Sequence, residues 1–598
     1  MVSKPDIQLL ESFTLATDPL VALDPAWPKM SLQQVESLLT APGQKFEIDT
    51  VDIRGISTKV WKHAPASLAL LMLFSRSHGD REFLIHEGER ITYDSHFRAV
   101  AMLARKLVEM GIGRGDRVAF AMRNLPEWTQ IFFAVTSIGA IAVPLNAWWS
   151  GDELEYGITD SGAKLVIVDG ERHERLKDHY AAMPAVEQVL VTRPKSALEG
   201  MAAPFKALVG PTSVWASLDD VGLPEIAMTI AADDEVAIFY TSGTTGHPKG
   251  AVGTHRNMLS NIFSTGYGAA RMLLRRGEVP PAVPEHKTHL IVIPFFHVTA
   301  CSAFLMGNIV AGGTIVLMRK WDTVEAFKLI EKERINATGG VPTIAWQLLE
   351  HPDRAKYDLS SLGNISYGGA PSAPELVKRI YQEFGALPGN GWGMTETMAT
   401  VTSHQGEDYL NRPDSCGPPV PVAELKVMSP DGTEQLPVGE VGELWAKGPM
   451  TVVGYWNKPE ATAATFIDGW VRTGDLAKLD DEGFCYIVDR AKDIIIRGGE
   501  NIYSIEVENV LYAHPAVTDA ALVGVPHRIL GEEPAAVVHL CSGCEASEAE
   551  LQAWVGKHLA GFKVPVAVRF VDQVLPRNAN GKILKKELRA LFVEGEQG

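Results

Sequence analysis

Residues 240–250 read YTSGTTGHPKG and directly follow an apolar stretch, Val236–Tyr240, that is typical of a buried strand. Glycine lets a backbone come close to an anion, hydroxyl side chains add hydrogen-bond donors, and lysine adds positive charge. The segment therefore predicts a loop that binds a polyphosphate. It is not a Walker A loop, because Pro248 stands where the second glycine would be and Gly250 follows the lysine. A flexible surface linker is the alternative, which so many donors after a buried strand disfavour.

The sequence around this loop predicts an α/β domain. Between about residue 65 and about residue 480, helical patterns alternate with short apolar runs punctuated by Gly, Pro or Asp. The apolar runs Leu68–Phe74 and Ile131–Val143 are too short to cross a bilayer and are interpreted as core helix or core strand. We predict a helix over His96–Met110 and strands at Arg117–Ala121, Lys164–Val168, His289–Ile293 and Thr314–Leu317.

The pattern changes after residue 488 and predicts a small, separate α+β unit. Its expected elements are Ser504–Tyr512 (helix), Asp519–Val525 (strand), Ala535–Leu540 (strand), Ala546–His558 (helix) and Ala567–Val571 (strand). The charged run at 489–493 suits a domain boundary, although a surface turn within one domain has the same composition. We predict an irregular extension over 1–60 that contains a helix at Leu32–Leu39, a main domain over 61–488 and a C-terminal domain over 489–598.

Composition limits the class of protein. A formal net charge of −18 over 598 residues argues against a nucleic-acid partner, which would need clustered Lys and Arg. Five cysteines and no secretory signal indicate a cytoplasmic protein. The pair Cys541 and Cys544 lacks the second pair that a zinc site needs, so we interpret it as two small residues at a strand end. No transmembrane segment is expected, and peripheral membrane contact is left open.

A second motif, GWGMTE at residues 391–396, offers groups that suit a nucleotide. Trp392 has a flat face for stacking on a base, Thr395 is a donor for a phosphate oxygen, and Glu396 is a hard oxygen ligand for Mg²⁺. Upstream, Gly368–Pro371 would let a planar ring lie against bare backbone. Asp475, in WVRTGD, could accept both ribose hydroxyls. Each motif alone is weak, because such residues are more often core, turn or surface.

Two further residues are ambiguous by residue type alone. Lys582, in the turn Asn580-Gly581-Lys582, could neutralise the charge that builds up when a carboxylate attacks a phosphate. It could equally be one of several lysines at the start of a basic helix. His297 follows a predicted strand among aromatic residues and could be a core histidine.

Together these motifs resemble the acyl-adenylate-forming superfamily of acyl-CoA synthetases, adenylation domains and beetle luciferases. TSGTTGHPKG, GWGMTE, WVRTGD, DRAKDIIIRGGENIYS and PRNANGKILKKEL occur in the family's order between about residue 65 and about residue 590. The resemblance implies a large N-terminal domain of two α/β subdomains plus a distorted β-barrel, with a small mobile α+β C-terminal domain.

The resemblance also implies roles for individual residues, carried over by motif position. The phosphate loop would comprise Thr241, Ser242, Gly243, Thr244, Thr245, Gly246 and Lys249. Trp392 would stack on adenine beside Gly369 and Ala370, and Asp475 and Arg490 would hold the ribose. The cofactor-binding residues would also include Pro371, Gly391, Gly393 and Met394. Thr395 would touch the α-phosphate, Glu396 would hold Mg²⁺, and Lys582 would bridge the acid and the ribose. His297 would border the acyl pocket, Lys492 would be the hinge, and Gly498, Gly499 and Glu500 would line the pantetheine tunnel.

These roles predict an ATP-dependent acid–CoA ligase that uses ATP, Mg²⁺ and CoA. The expected oligomeric state is a monomer or a homodimer, between which the sequence does not decide. The predicted acyl pocket comprises Phe296, His297, Ala300, Met306, Thr338–Pro342, Tyr367, Gly368 and Gly391. It lacks a charge that would fix an amino acid's ammonium group, and it favours a medium- or long-chain fatty acid. An aryl or other bulky acid, or loading of a carrier protein in trans, is the alternative. A non-catalytic sensor is disfavoured because Lys582 and Glu396 are both present.

Overall fold

The computed structural model describes residues 27–241, 247–282, 285–368, 372–578 and 581–593, and its larger part is built on two eight-stranded sheets. The strands of sheet A, in spatial order, are Gly454–Tyr455, Gly250–Thr254, Glu235–Tyr240, Ile141–Pro144, Arg117–Ala121, Leu165–Asp169, Gln188–Thr192 and Ala202–Pro204. The first two strands are antiparallel to their neighbours, and the remaining pairs are parallel.

Sheet B has the same plan. Its strands, in spatial order, are His404–Gln405, Leu387–Asn390, Asn364–Tyr367, Ala337–Gly340, Thr288–Ile291, Thr314–Leu317, Glu82–His86 and Glu89–Thr92. The six inner strands are parallel, and the two outer ones pair antiparallel. Because parallel strands end at the same edge, the loops that follow them are brought together there.

Helices cover both sheets, so the parallel strands are apolar on both faces. The α-helices are Leu32–Leu39, Leu68–Ser75, Tyr93–Glu109, Pro126–Thr136, Gly151–Ser161, Gly170–Leu176, Lys206–Val209, His255–Arg276, Met306–Ala311, Thr323–Glu333, Pro342–Glu350, Pro374–Phe384, Gly406–Asn411, Pro459–Thr465, Ser504–Tyr512, Glu548–His558 and Lys585–Val593. The predicted strands Arg117–Ala121 and Thr314–Leu317 are confirmed, and the predicted helix over His96–Met110 begins at Tyr93 and ends at Glu109.

The core lies where helices of one sheet meet those of the other. Trp128 stacks on Phe132 at 5.3 Å between ring centroids and also contacts Phe295 at 5.1 Å. The apolar run at 131–143 divides into the helix Pro126–Thr136 and the strand Ile141–Pro144. Proline at the first helical position fits the helix start, where its missing N–H costs no hydrogen bond.

Sheet C is antiparallel and corresponds to the predicted barrel only in part. Its strands are Glu424–Met428, Gly442–Lys447, Trp470–Leu479 and Phe466–Ile467, with Cys485–Arg490 paired to the long central strand. Within the described residues no ladder joins Glu424–Met428 to Cys485–Arg490, so the sheet stays open.

Sheet D forms the C-terminal unit, as the change in pattern after residue 488 predicted. Its strands are Glu500–Ile502, Ile495–Arg497, Gly531–Leu540 and Val517–His527, with Ala567–Phe570 parallel to Gly531–Leu540. The helix at 504–512 has its predicted bounds. A separate cluster of buried apolar residues, including Val507, Leu522 and Val538, supports this unit.

The prediction that 1–60 is irregular outside its helix is wrong for the described part. Ile48–Ile53 and Ile56–Trp61 pair as an antiparallel hairpin joined by Arg54 and Gly55, both with positive φ. Such a turn matches strand twist, but its sequence signal is normally Asn-Gly or Asp-Gly. Phe46 and Trp61 pack on Tyr267 and anchor the hairpin to the main domain.

Cys541 and Cys544 are joined by a disulfide, whereas the sequence predicted two unlinked small residues. The turn after the strand Gly531–Leu540 brings their Cα atoms to 5.2 Å, which suits a disulfide.

Among the described residues, no helix is both long enough and apolar enough to cross a bilayer.

Candidate active site

A cavity of about 1030 Å³ opens where the parallel strands of sheet B end. Val292, Gly340, Gly368 and Gly391 line it, and each belongs to or follows one of four adjacent strands. Thr241 faces them from the end of the sheet A strand Glu235–Tyr240. Crevices outside the carboxyl ends of parallel strands are where open α/β sheets bind ligands.

Most of the described residues predicted for the site line this one cavity. These are Thr241, Lys249, His297, Gly391, Trp392, Gly393, Met394, Thr395, Glu396, Asp475, Arg490, Lys492 and Lys582. Ser242, Gly243, Thr244, Thr245, Gly246, Gly369, Ala370 and Pro371 lie outside the described residues. Gly498 and Gly499 form the exposed turn between the strands Ile495–Arg497 and Glu500–Ile502, and Glu500 begins the second strand. None of the three lines the cavity.

The two ends of the phosphate loop are tied together at its base. The Thr241 N–H donates to the Lys249 carbonyl at 2.9 Å, and the Lys249 N–H donates to Thr241 Oγ1 at 3.4 Å. The Lys249 ammonium lies 4.1 Å from the centroid of the Tyr455 ring, a cation–π contact. Lys249 is therefore held at the cavity wall, with its ammonium group against the Tyr455 ring.

Glu396 is buried, and its side chain is oriented by Tyr455. The Tyr455 hydroxyl donates to Glu396 Oε1 at 2.6 Å. Burial, reinforced by the Glu396 charge, raises the pKa of Tyr455. No described residue donates a hydrogen bond to the second carboxylate oxygen, Oε2. A buried carboxylate with one oxygen uncommitted, in the wall of a cavity, fits a hard divalent cation such as Mg²⁺.

A glycine makes the turn that carries Glu396 possible. The strands Gly393–Met394 and Ala399–Thr400 run so close together that a Cβ on Gly393 would lie 1.5 Å from the Ala399 carbonyl oxygen. Only glycine fits there. The short helical turn that follows holds Thr395 and Glu396 at the cavity.

Trp392, Asp475 and Arg490 form a connected group in the cavity wall. The indole Nε1 of Trp392 donates to Asp475 Oδ2 at 2.8 Å, and Arg490 Nε lies 3.3 Å from Asp475 Oδ1. Asp475 and Arg490 face each other across adjacent strands of sheet C. The Trp392 N–H donates to Thr402 Oγ1 at 2.8 Å, which fixes the backbone that carries the indole.

The C-terminal unit inserts Lys582 into the same cavity. Burial, together with the positive charge of Arg490, lowers the pKa of Lys582 to about 8, while Asp475 and Glu396 act in the opposite direction. The turn is braced from within its own unit, because the Lys582 N–H donates to Asn578 Oδ1 at 3.1 Å. A Cβ on Gly581 would lie 2.3 Å from Val341 Cγ1, so the turn is pressed against the main domain.

The nearby lysine Lys585 points into the C-terminal unit and not into the cavity. Lys585 Nζ lies 2.8 Å from Glu508 Oε1 and 2.5 Å from Ser504 Oγ, both within the C-terminal unit. Lys585 therefore stabilises that unit, and Lys582 alone of the two reaches the cavity. Residue type and spacing alone could not separate the two lysines, and only the family resemblance singled out Lys582.

The predicted acyl pocket is correct at some positions and wrong at others. His297, Gly340, Val341, Gly368 and Gly391 line the cavity. Ala300 and Met306 are fully buried in the main core instead, because the residues after His297 continue into a π-helix, Thr299–Leu305, that packs on it. Phe296 and Pro342 line an adjoining cavity of about 1480 Å³ between the main domain and the C-terminal unit.

Asn124, which the sequence did not single out, positions the segment that carries His297. Its side chain donates to the Ile293 carbonyl at 2.9 Å and accepts from the Phe295 N–H at 2.9 Å. Tyr455 was missed in the same way. Both residues act across long sequence separations, and neither stands in a motif with a recognisable pattern.

The chain belongs to the AMP-binding enzyme family. The family model for the AMP-binding enzyme matches residues 74–456, and the model for the AMP-binding enzyme C-terminal domain matches residues 506–582. The predicted superfamily is thereby confirmed, as is the α/β fold with a smaller C-terminal domain, whereas the predicted barrel is present only in part.

Relatives and solved structures agree with this assignment. The chain is 36% identical to a feruloyl-CoA synthase from Amycolatopsis sp, over 85% of this chain and 95% of that protein. It is 34% identical to a long-chain-fatty-acid–CoA ligase from Bacillus subtilis (strain 168), over 85% of this chain and 91% of that protein. The crystal structure of ATP-bound MatB from Rhodopseudomonas palustris superimposes with a TM-score of 0.73 at 29% identity, covering 87% of this chain and 99% of that one.

Proposed function

We propose that the protein is an ATP-dependent acid–CoA ligase that activates a hydrophobic carboxylic acid as its acyl-adenylate and then transfers the acyl group to CoA. The observation that carries this proposal is the meeting of Lys582 with Glu396, Trp392 and Asp475 in one cavity, although Lys582 comes from a separate C-terminal unit. Family membership and the acid–CoA ligases among the relatives support the same reaction.

In the first half-reaction, a carboxylate oxygen of the acid attacks the α-phosphorus of ATP. The bond from that phosphorus to the bridging oxygen breaks, and pyrophosphate leaves. The attack brings two anions together, so cationic groups must offset their repulsion. We assign this to Lys582 at the carboxylate and to Lys249 at the leaving phosphates. A Mg²⁺ ion held by Glu396 would supply further neutralisation of the polyphosphate when bound.

Trp392, Asp475 and Arg490 would hold the nucleotide in place. The indole face would stack on adenine, and the Asp475 carboxylate, already oriented by Trp392 and Arg490, would accept from the ribose hydroxyls. Thr395 would donate to the α-phosphate. Fixing the nucleotide in this way places the α-phosphorus at the boundary between the phosphate loop and the acid.

In the second half-reaction, the thiol sulfur of CoA attacks the acyl carbon, the bond to AMP breaks, and AMP leaves as the thiol releases its proton. We propose that the C-terminal unit rotates about Lys492 for this step, which withdraws Lys582. The exposed turn at Gly498, Gly499 and Glu500 would then line the pantetheine tunnel. We also propose that the chain divides into an extension over 1–60, a main domain over 61–488 and a C-terminal domain over 489–598. The hinge residue Lys492 then lies just after the boundary between the last two.

For the acid we propose a medium- or long-chain fatty acid. The support is the apolar part of the cavity wall, formed by Val292, Pro294, Val298, Val341 and Ile344. An amino acid is disfavoured because the predicted acyl-pocket residues that line the cavity, His297, Gly340, Val341, Gly368 and Gly391, carry no carboxylate for its ammonium group. A hydroxylated aryl acid is the second candidate, because Gln347, Ser372 and Asn390 also line the cavity and could bind ring substituents.

A pyrophosphate-release assay with a panel of acids tests the proposal. Straight-chain acids of graded length, cinnamic acids with and without ring hydroxyls, and an amino acid are compared at equal concentration, with CoA present. We expect turnover to rise with chain length and to be negligible for the amino acid. A preference for hydroxylated cinnamic acids would select the second candidate, and release that requires a carrier protein instead of CoA would contradict the CoA ligase.

A further inference from the structure

We propose that Tyr455 is a positioning residue that couples the phosphate-loop lysine, Lys249, to the carboxylate of Glu396, so that nucleotide and divalent cation bind cooperatively. The inference rests on the proposed function, since it assumes that ATP occupies the cavity. Tyr455 lies outside the motifs that define the site, yet its side chain contacts both charged residues.

The backbone of Tyr455 is fixed to the strand that leaves the phosphate loop. Tyr455 pairs with Ala251 across sheet A, and the next residue, Trp456, donates its N–H to the Gly250 carbonyl at 2.7 Å. Gly250 directly follows Lys249, so the backbone of Tyr455 is fixed close in the sheet to the lysine that its ring contacts. Phe466 packs edge-on against the ring at 5.6 Å and restricts its orientation.

The same segment holds Glu396 at two points. The Val452 N–H donates to the Glu396 carbonyl at 3.0 Å, and the Tyr455 hydroxyl donates to Oε1 at 2.6 Å. The side chain is thereby set in one orientation, with Oε1 occupied and Oε2 left for a cation. A carboxylate that is oriented in advance loses less conformational freedom when it binds a cation.

The aromatic face keeps the lysine close to its place of action. Lys249 Nζ is 4.1 Å from the ring centroid, and no described carboxylate forms an ion pair with it. A cation–π contact is weaker than a charge-assisted hydrogen bond to phosphate, so a nucleotide would draw the ammonium off the ring. One side chain thus sets the separation between a cationic group and a cation ligand that would act on the same polyphosphate.

The experiment measures binding of α,β-methylene ATP, a non-hydrolysable analogue, by calorimetry with and without MgCl₂. The ratio of the two Kd values reports the coupling between nucleotide and cation. Tyr455→Phe keeps the ring and removes only the hydroxyl. We expect the ratio of Kd without MgCl₂ to Kd with MgCl₂ to be roughly tenfold smaller in this variant, because one hydrogen bond to a charged group is lost. Its Kd without MgCl₂ should change by less than about twofold.

Two further variants make the result specific. Tyr486→Phe removes a tyrosine–carboxylate hydrogen bond of 3.0 Å to Asp480, in sheet C and outside the cavity lining, and should leave both Kd values unchanged. In a Glu396→Gln background, which removes the charge, Tyr455→Phe should have no further effect on the Mg²⁺ enhancement.

Full Mg²⁺ enhancement in Tyr455→Phe would overturn the inference, and so would an equal loss of binding with and without Mg²⁺. If the unaltered protein fails to bind the analogue under either condition, the proposed function itself fails. A wild-type protein that binds, with a Tyr455→Phe variant that is indistinguishable from it, refutes the coupling alone.

Discussion

The indole Nε1 of Trp392 donates a 2.8 Å hydrogen bond to Oδ2 of Asp475, although the two residues are 83 positions apart in the chain. Trp392 follows a strand of sheet B, and Asp475 lies on the central strand of sheet C. The bond joins the residue proposed to stack on adenine to the residue proposed to bind ribose. Both are oriented before a nucleotide arrives.

Replacement of Trp392 by phenylalanine tests this link. Trp392→Phe keeps a flat ring but removes the donor, so the buried Asp475 loses one of its two partners. Loss of one hydrogen bond to a charged group costs about 1.5–3 kcal/mol, and we therefore expect the KM for ATP to rise at least about tenfold in a pyrophosphate-exchange assay. Trp470→Phe is the control, because the Trp470 indole lies near the edge of sheet C and outside the cavity lining. This variant should leave the KM for ATP unchanged.

Gly581→Ala should prevent the C-terminal unit from closing fully on the main domain. The new Cβ would lie 2.3 Å from Val341 Cγ1, and the backbone φ of +73° is unfavourable for alanine. We expect acyl-adenylate formation to fall at least about tenfold, an amount that 1.4 kcal/mol of steric cost would produce. Thioester formation from preformed acyl-adenylate should change little.

Gly543→Ala is the matched control for that variant. Gly543 also lies in the C-terminal unit with a φ of +78°, but a Cβ there meets nothing within 4 Å. It should reproduce the backbone strain without the clash. Comparable losses of adenylation in both alanine variants would show that strain, and not contact with Val341, is responsible.

The pH dependence of adenylation should report the protonation state of Lys582. Its proposed role requires the charged form, and its pKa is lowered to about 8 by burial and by Arg490. The charged fraction therefore falls as pH rises through about 8, and kcat/KM for ATP should fall about tenfold per pH unit above that value. Lys582→Arg stays charged over this range, so any residual activity should lack the alkaline decline. The same decline in both proteins would exclude Lys582 as its cause.

A proline at position 492 should separate the two half-reactions. Lys492→Pro restricts the backbone at the proposed hinge, because the proline ring fixes φ. We expect pyrophosphate exchange to remain within about threefold of the unaltered protein. Formation of acyl-CoA from isolated acyl-adenylate should fall at least about tenfold, in keeping with a closed orientation that no longer rotates. An unchanged second step would place the hinge elsewhere.

The sequence predicted the elements and motifs whose signals are local. The strand Arg117–Ala121 and the helix Ser504–Tyr512 have the bounds that the sequence predicted, and Thr241 and Lys249 of the glycine- and hydroxyl-rich loop line the cavity. Local propensity and burial agree at these positions, so the pattern alone was sufficient.

Features that depend on distant contacts could not be predicted in this way. Tyr455 hydrogen-bonds Glu396, 59 positions away, and Asn124 hydrogen-bonds two residues about 170 positions away. The hairpin at 48–61 turns at Arg54 and Gly55, a pair without a strong turn signal. Ala300 was assigned to the acyl pocket, whereas the structure places it in the π-helix Thr299–Leu305 and buries it in the main core.

The most direct test of the proposed mechanism is the Lys582→Ala variant, measured separately in each half-reaction. Removal of one preorganised charge from a reacting centre costs about 10²–10³ in rate, so acyl-adenylate formation should fall by that factor. Thioester formation from preformed acyl-adenylate should stay within about threefold, because Lys582 is withdrawn in that step. An equal loss in both half-reactions, or an unchanged rate of adenylation, would contradict the role of Lys582 in the cavity.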